Sequence, residues 1–209
     1  MSKLHGILLA AALCVSAVAN AGVTDVSLGA SVTEVGTTFG QSPGWGPGVL
    51  SAPGAITNGS FLPTQNQWDI NTVYWTSNSD YVQVNLNGNY SISNVVLQAD
   101  NNDIYQVSYL NNGSWTVLGD YAPTIGGTVN ADGTITPTSS VGWGLGLNGA
   151  SGQSITTTAF RIQAISGDNH YAVGQFQAYG VAAVPEPSTY AMMGLGLFAI
   201  AFARRRFKA

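Results

Sequence analysis

Two short clusters hold most of the side chains with the types and spacing for binding chemistry. Asp100, Asn101, Asn102 and Asp103, followed by Tyr105, set two carboxyls, two amides and a phenol within one turn-sized stretch. Asp168, Asn169, His170 and Tyr171 repeat the acid, amide and aromatic mixture. Carboxylates and amides supply the directional acceptors and donors that sugar hydroxyls or a cation require. The competing reading is a turn whose Asn and Asp side chains bond their own backbone. Sequence alone does not bring the two clusters together; a sandwich of strands would allow it. Trp45, Trp68, Trp75, Trp115 and Trp143 are candidate stacking platforms for a sugar ring. Trp115 alternates with Val117 and reads as core, as Trp68 and Trp75 also can, whereas Trp143 sits in a Gly-rich stretch and is expected to be exposed. Arg161 reads either as a ligand contact or as the partner of a nearby acid.

Signals for catalysis are weak. Residues 144–149 match G-x-G-x-x-G by letters but lack a strand-to-helix context and any phosphate-pairing base. His170 has no second histidine near it for zinc, and no G-x-S-x-G elbow occurs. Asp100 and Asp103 lie in one loop, whereas glycosidases set two carboxylates across a cleft. The chain is expected not to be an enzyme and to need no cofactor.

The elements that must position these residues read as short strands. Residues 81–86 alternate, with Val82, Val84 and Leu86 on one face, and Asn87-Gly88 follows as a tight-turn pair. Residues 92–99 place Val95, Leu97 and Ala99 on one face. Residues 105–110 form a third strand, which Asn112-Gly113 turns into 115–118. Asp132-Gly133 marks another hairpin, and 160–164 and 175–179 are late strands. Residues 23–61 are Gly- and Pro-rich and less legible. Strands separated by Asn, Gly and Asp turns predict an all-β fold, an antiparallel jelly-roll β-sandwich.

The chain has 209 residues, of which 8% are charged, against about 25% in an average globular chain. Between residues 22 and 184 there are nine acids and one base, Arg161, a net charge of −8. Nucleic acid is excluded as a partner, because phosphates need Lys and Arg to neutralise them. Anionic lipid is disfavoured on the same grounds. A neutral sugar polymer or a cation is an easier partner. Cys14 is the one cysteine, so the body has no thiol and no disulfide.

Both ends read as processing segments. Lys3 and His5 precede an apolar stretch, 6–18, too short to span a bilayer. Small residues at 17, 19 and 21 fit cleavage after Ala19 or Ala21, so 1–21 is a signal peptide and 22–183 the body. The tail, 184–209, opens with Val184, Pro185, Glu186 and Pro187, an extended accessible segment. An apolar run, 188–203, would reach about 24 Å as a helix, a marginal transmembrane span. Arg204, Arg205 and Arg206 then stay on the cytoplasmic side.

This order of Pro-Glu-Pro, apolar helix and Arg cluster closely resembles the PEP-CTERM sorting signal. The resemblance implies an exosortase-like processing enzyme in a Gram-negative bacterium. It also implies transient anchoring in the inner membrane, cleavage near Pro185-Glu186-Pro187, and release to the cell surface or an exopolysaccharide matrix. A lasting single-span anchor satisfies the same simple physics. In the body, Ala55-Ile56-Thr57-Asn58-Gly59-Ser60-Phe61, Gln67-Trp68, Tyr74-Trp75 and Tyr81-Val82-Gln83-Val84-Asn85-Leu86 resemble the opening of discoidin-like, or coagulation-factor type C, domains. Phe160-Arg161-Ile162-Gln163-Ala164 and Gly174-Gln175-Phe176-Gln177-Ala178-Tyr179-Gly180 fit their late strands. That resemblance implies a galactose-binding-like β-sandwich whose members mostly bind glycans through loops at one end. It also implies a structural calcium, with an acid in the early turn and a Glu in the last strand. Asn58 and Gln175 stand in those places, so weak calcium binding or none is expected, since a hard cation wants anionic oxygens. The function implied is an exported, non-catalytic surface or matrix protein with a carbohydrate-binding body. The alternatives are an adhesive surface protein without a small-ligand site, or a polysaccharide hydrolase.

Overall fold

The computed structural model describes residues 22–63, 65–122, 134–136, 143–144 and 154–183, together with 194 and 197, and for 134–136 and 143–144 the backbone alone. The signal peptide, the Asp132-Gly133 turn, the Trp143 side chain and the tail residues Val184, Pro185, Glu186, Pro187, Arg204, Arg205 and Arg206 lie outside the described residues.

Among the described residues twelve strands follow in order: β1 (Thr24–Asp25), β2 (Ser31–Val35), β3 (Val49–Leu50), β4 (Asn66–Gln67), β5 (Ile70–Trp75), β6 (Tyr81–Asp100), β7 (Ile104–Asn111), β8 (Ser114–Tyr121), β9 (Thr134–Thr136), β10 (Trp143–Gly144), β11 (Ile155–Ser166) and β12 (Tyr171–Ala182). A short 3-10 turn spans Pro53–Thr57. The main path through the sheet is β3-β5-β12-β6-β11-β7-β8, with β2, β9 and β10 also on β6 and β1 on β12. Among the described residues every pairing is antiparallel except β3 with β5. The all-β, antiparallel sandwich expected from the sequence is the observed architecture: one hydrogen-bonded network curls so that its layers face each other across the core.

The curl is built into β6. Its first part pairs with β2 and β11, and its second part with β12. The Asn87-Gly88 pair, expected to reverse the chain, does not do so. It sits inside β6, where Thr157 opposite Tyr90 and Ala159 opposite Asn85 leave Leu86, Asn87, Gly88 and Asn89 facing Thr158 alone. The surplus residues form a wide bulge, which bends a strand without ending its pairing. Asn112-Gly113 does make the predicted hairpin. Asn111 pairs with Ser114, and the two turn residues have φ of 50° and 84°, the left-handed pair that a two-residue turn requires.

Alternation then sorts the side chains. Val82, Val84 and Leu86 are buried, as are Val95, Leu97 and Ala99 beyond the bulge, and they pack with Trp75, Phe160, Ile162, Val173 and Phe176. Each large apolar side chain so buried contributes about 1.5–3 kcal/mol relative to exposure. The opposite face of the second half of β6 is also covered. Val96, Gln98 and Asp100 are buried there, and Gln98 is held by Leu62: Leu62 N–H donates to Gln98 Oε1 (2.9 Å) and Gln98 Nε2 donates to Leu62 O (3.0 Å).

Two expectations need correction. Trp115 and Val117 are not core: the register shifts between Val107 and Ser108, and the bulge turns Leu118 inward while Val117 stays half exposed. Nor does any carboxylate among the described residues pair with Arg161. Its guanidinium lies between the rings of Trp115 (3.9 Å) and Tyr81 (4.5 Å), and its Nε donates to Gln83 Oε1 at 3.3 Å. Two aromatic faces offset the cost of the charge in place of an acid.

Asp80 ties the end of β2 to the start of β6. Its Oδ2 accepts from Thr37 N (3.0 Å), Thr38 N (2.9 Å) and Thr38 Oγ1 (2.7 Å). Burial alone would raise its pKa, but the hydrogen bonds from Thr38, Thr37 and Ser79 outweigh it and hold the carboxylate below its ordinary range.

Candidate functional site

The turn from β6 to β7 and the turn from β11 to β12 emerge side by side, because β7 and β11 are neighbours and Ser166 pairs with Ile104. The two chemistry-bearing clusters therefore meet. Asn102 Nδ2 donates to Asp168 Oδ2 at 3.1 Å, and Asp168 N–H donates to Asp103 Oδ1 at 3.2 Å. The close approach depends on Gly167, whose φ of 146° favours glycine and whose missing Cβ would overlap the Asp103 carboxylate. Beneath them the Tyr105 hydroxyl donates to Asp103 Oδ2 (3.2 Å) and accepts from Ala172 N–H (2.9 Å). Asp168 Oδ1 accepts from His170 N (2.9 Å) and lies 3.3 Å from His170 Nδ1. The Tyr171 hydroxyl donates to Asn169 Oδ1 at 3.3 Å.

Burial divides the site into a foundation and a surface. Asp100, Asn101, Asp103, Tyr105 and Tyr171 are at most 2% exposed, so they support the loops and do not meet solvent. Asp168 and Asn169 are exposed, and Asn102 and His170 partly so. The foundation is electrostatically tense. Desolvation, and then the charge of Asp103, push the Asp100 carboxyl up to about 9. The backbone N–H groups of Asn101 and Asn102 offset part of that rise, but neither Asp100 oxygen has a hydrogen bond of good geometry among the described residues. Desolvation, and then Asp168, push Asp103 up to about 7. A neutral carboxyl is the form such a place tolerates, so Asp100 keeps its proton at neutral pH.

An aromatic wall completes the surface. Trp45 is 50% exposed. Its indole lies edge-on to Trp68 (6.5 Å between centroids) and 6.2 Å from the His170 ring, and Trp68 is 5.0 Å from His170. Trp68 itself is fully buried against Tyr74, and Trp75 is fully buried in the main core. The loop that presents Trp45 is pinned by Ser42 Oγ donating to Gly46 O (2.8 Å) and by Val49 N–H donating to Asp69 O (2.7 Å). The arrangement sets an apolar ring beside the His170 imidazole, which adjoins the Asp168 carboxylate and, through it, the Asn102 amide. That is a surface with one face for stacking and a rim of donors and acceptors. Among the described residues no group of three His, Cys, Asp or Glu side chains is placed to hold a metal ion. Trp45 is one of the five tryptophans in the sequence; its flanks, Pro43-Gly44 and Gly46-Pro47-Gly48, are the signal that it stands on a loop.

Two further features lie elsewhere. At the other end of β7 and β11 is an open cleft of about 570 Å³, lined by neutral groups including Asn89, Tyr109, Asn112, Thr156 and Thr158. On β12, Gln175 is fully buried under the turn that holds Asn58. Its surroundings, three oxygens and one N–H, fix the orientation of its amide. In that orientation the two N–H groups of the amide lie within reach of three acceptors, Ile56 O (3.2 Å), Asn58 Oδ1 (3.2 Å) and Ser60 O (3.1 Å), and the oxygen accepts from Gly59 N–H (3.0 Å).

Residues 183–206 match the PEP-CTERM protein-sorting motif. The PEP-CTERM segment starts directly after the sheet ends, since β12 closes at Ala182, and it marks the chain as exported and sorted through the membrane. Among the described residues, no helix is long and apolar enough to cross a membrane. Ahead of the PEP-CTERM segment, the chain is similar to solved carbohydrate-binding modules. One is the family 32 module of NanJ from C. perfringens, in complex with galactose, at 14% identity over 75% of this chain and 98% of that one, with a TM-score of 0.44. Another is the family 32 module of EndoD from Streptococcus pneumoniae, at 12% identity over 75% and 99%, with a TM-score of 0.47. A third is chitosan-binding module 1 of a chitosanase/glucanase from Paenibacillus sp. IK-5, at 14% identity over 75% and 99%, with a TM-score of 0.42. No curated protein matches the chain.

Proposed function

We propose that this chain is a non-catalytic, glycan-contacting protein of the cell surface or exopolysaccharide matrix. In this reading the tail holds it in the inner membrane until an exosortase-like enzyme cuts near Pro185-Glu186-Pro187. The observation that carries the glycan reading is the half-exposed Trp45 indole beside His170, with Asn102 and Asp168 at its rim. A sugar ring lays its C–H face on an indole while its hydroxyls use the neighbouring amide, imidazole and carboxylate. A body charge of −8 favours a neutral polymer over an acidic one. The non-catalytic reading is supported by burial. Asp100 and Asp103, the carboxyls nearest to a glycosidase pair in the sequence, are 0% and 2% exposed, and a carboxyl sealed from solvent does not reach a glycosidic bond.

The test is affinity electrophoresis of the purified protein through gels holding neutral polysaccharides, comparing it with the Trp45→Ala variant. Retention by at least one polymer is expected, with affinity falling about tenfold in the variant, equivalent to about 1.4 kcal/mol, and an unchanged circular dichroism spectrum. Retention that Trp45→Ala leaves unaltered on every polymer overturns the assignment of this surface.

A further inference from the structure

We infer that the Gln175 amide occupies the seat of a cation, so that the turn over β12 is locked by hydrogen bonds alone and is indifferent to calcium. The oxygens of Ile56, Asn58 and Ser60 converge on one point, as the ligands of a hard cation do. The point is filled by the side-chain nitrogen of Gln175, at 3.1–3.2 Å from each. Those are N–H···O distances. The fourth contact, from Gly59 N–H to the amide oxygen, uses the one acceptor that the residue has to offer. An amide brings both signs of partial charge to a buried place, and both are used.

The ligand set does not fit calcium on charge either. Asn58 and Gln175 are neutral, and among the described residues no group of three His, Cys, Asp or Glu side chains is placed to hold a metal ion. Two more amides brace the same segment: Gln98 pairs with both backbone groups of Leu62, and Gln177 Nε2 donates to Gly59 O at 3.4 Å. Asn58 Oδ1 also accepts from Ser60 N–H at 2.7 Å, so the turn keeps its shape without an ion. Gln175→Glu replaces the donor nitrogen by an anionic oxygen. Three oxygens then face a carboxylate with no proton between them, and a cation is the group that reconciles the four.

Thermal unfolding of the full chain, with calcium or with a chelator, tests this for the wild type, Gln175→Glu and Gln175→Leu. The wild-type midpoint is expected to be the same in calcium and in chelator. Gln175→Glu should melt about 5 °C or more below it in chelator and recover in calcium. Gln175→Leu, which loses the donors without gaining charge, should be lowered equally in both. A wild-type midpoint raised by calcium overturns the inference. So does a Gln175→Glu midpoint that is low and unmoved by calcium, or that matches the wild type in chelator. Should Gln175→Glu not fold, calcium added to the wild type still decides it.

Discussion

Gly167→Ala is expected to destabilise the protein by about 3 kcal/mol or more and to abolish glycan retention in the fraction that folds. A methyl group at this position meets the Asp103 carboxylate, and φ of 146° is a conformation that an L side chain rarely adopts. Relief requires the turn after β11 to move away from the turn after β6. That breaks the bond from Asp168 N–H to Asp103 Oδ1 and strips a buried carboxyl of one of its two donors, the other being the Tyr105 hydroxyl. The losses compound, because a buried acceptor left without its donor costs about 1–3 kcal/mol in addition to the backbone strain. Denaturant unfolding measures the effect directly. A variant within about 1 kcal/mol of the wild type would mean that the two loops are not locked together in this way.

Stability should rise, not fall, as pH is lowered from about 8 to 5. Asp103 and Asp100 ordinarily titrate near 3.8, and in the folded chain they titrate at about 7 and about 9. Between the unfolded and folded values the native state holds protons that the unfolded chain releases. Their contribution is therefore complete below about 4 and is lost as pH climbs through 7 towards 9. Each tenfold difference in proton affinity between the folded and unfolded chain is worth about 1.4 kcal/mol, so the two rises together make this a large loss on the scale of a domain's stability. Asp80 acts in the opposite sense: its pKa is lowered, so its contribution is present above about 4 and disappears in stronger acid. Together they place the optimum near pH 4–5. Asp103→Asn should reduce the slope between pH 5 and 8, because the residue no longer titrates, although its single amide oxygen can replace only one of the two carboxylate oxygens that accept from Tyr105 and Asp168. A wild type that loses stability on going from pH 8 to 5 would contradict this account of the buried acids.

Local signals in this sequence are legible and non-local ones largely are not. The Asn112-Gly113 hairpin is legible because two residues and their φ angles suffice to make it. Asn87-Gly88 carries the same letters, but both of its flanks find the same partner, β11, and the pair becomes a bulge within one strand. The inward face of β6 follows from alternation alone. Its outward face does not, because Gln98 is bonded through both ends of its amide to Leu62, 36 residues earlier. The same loss of information affects the site. Composition singles out both clusters, and the neighbouring of β7 and β11 brings them together. Which members face solvent is hidden, so Asp103 and Tyr171, attractive as ligand contacts, prove to be sealed beneath Asn102, Asp168, Asn169 and His170. Trp115 misleads for a related reason, since the bulge in the β7–β8 ladder reverses the parity that its alternation with Val117 suggests.

Glycan is expected to be met at the Trp45 and His170 end of the sandwich, and chemical-shift mapping tests this residue by residue. Isotope-labelled protein would be titrated with oligosaccharides cut from whichever neutral polysaccharide retains it. The account predicts that the Trp45 indole N–H, the His170 ring and the Asn102 side-chain amide shift together with one affinity, while Asn89 and Asn112 in the cleft at the far end of β7 and β11 stay unmoved. Shifts confined to Asn89, Asn112 and their neighbours, or no shift from any such oligosaccharide, would contradict it.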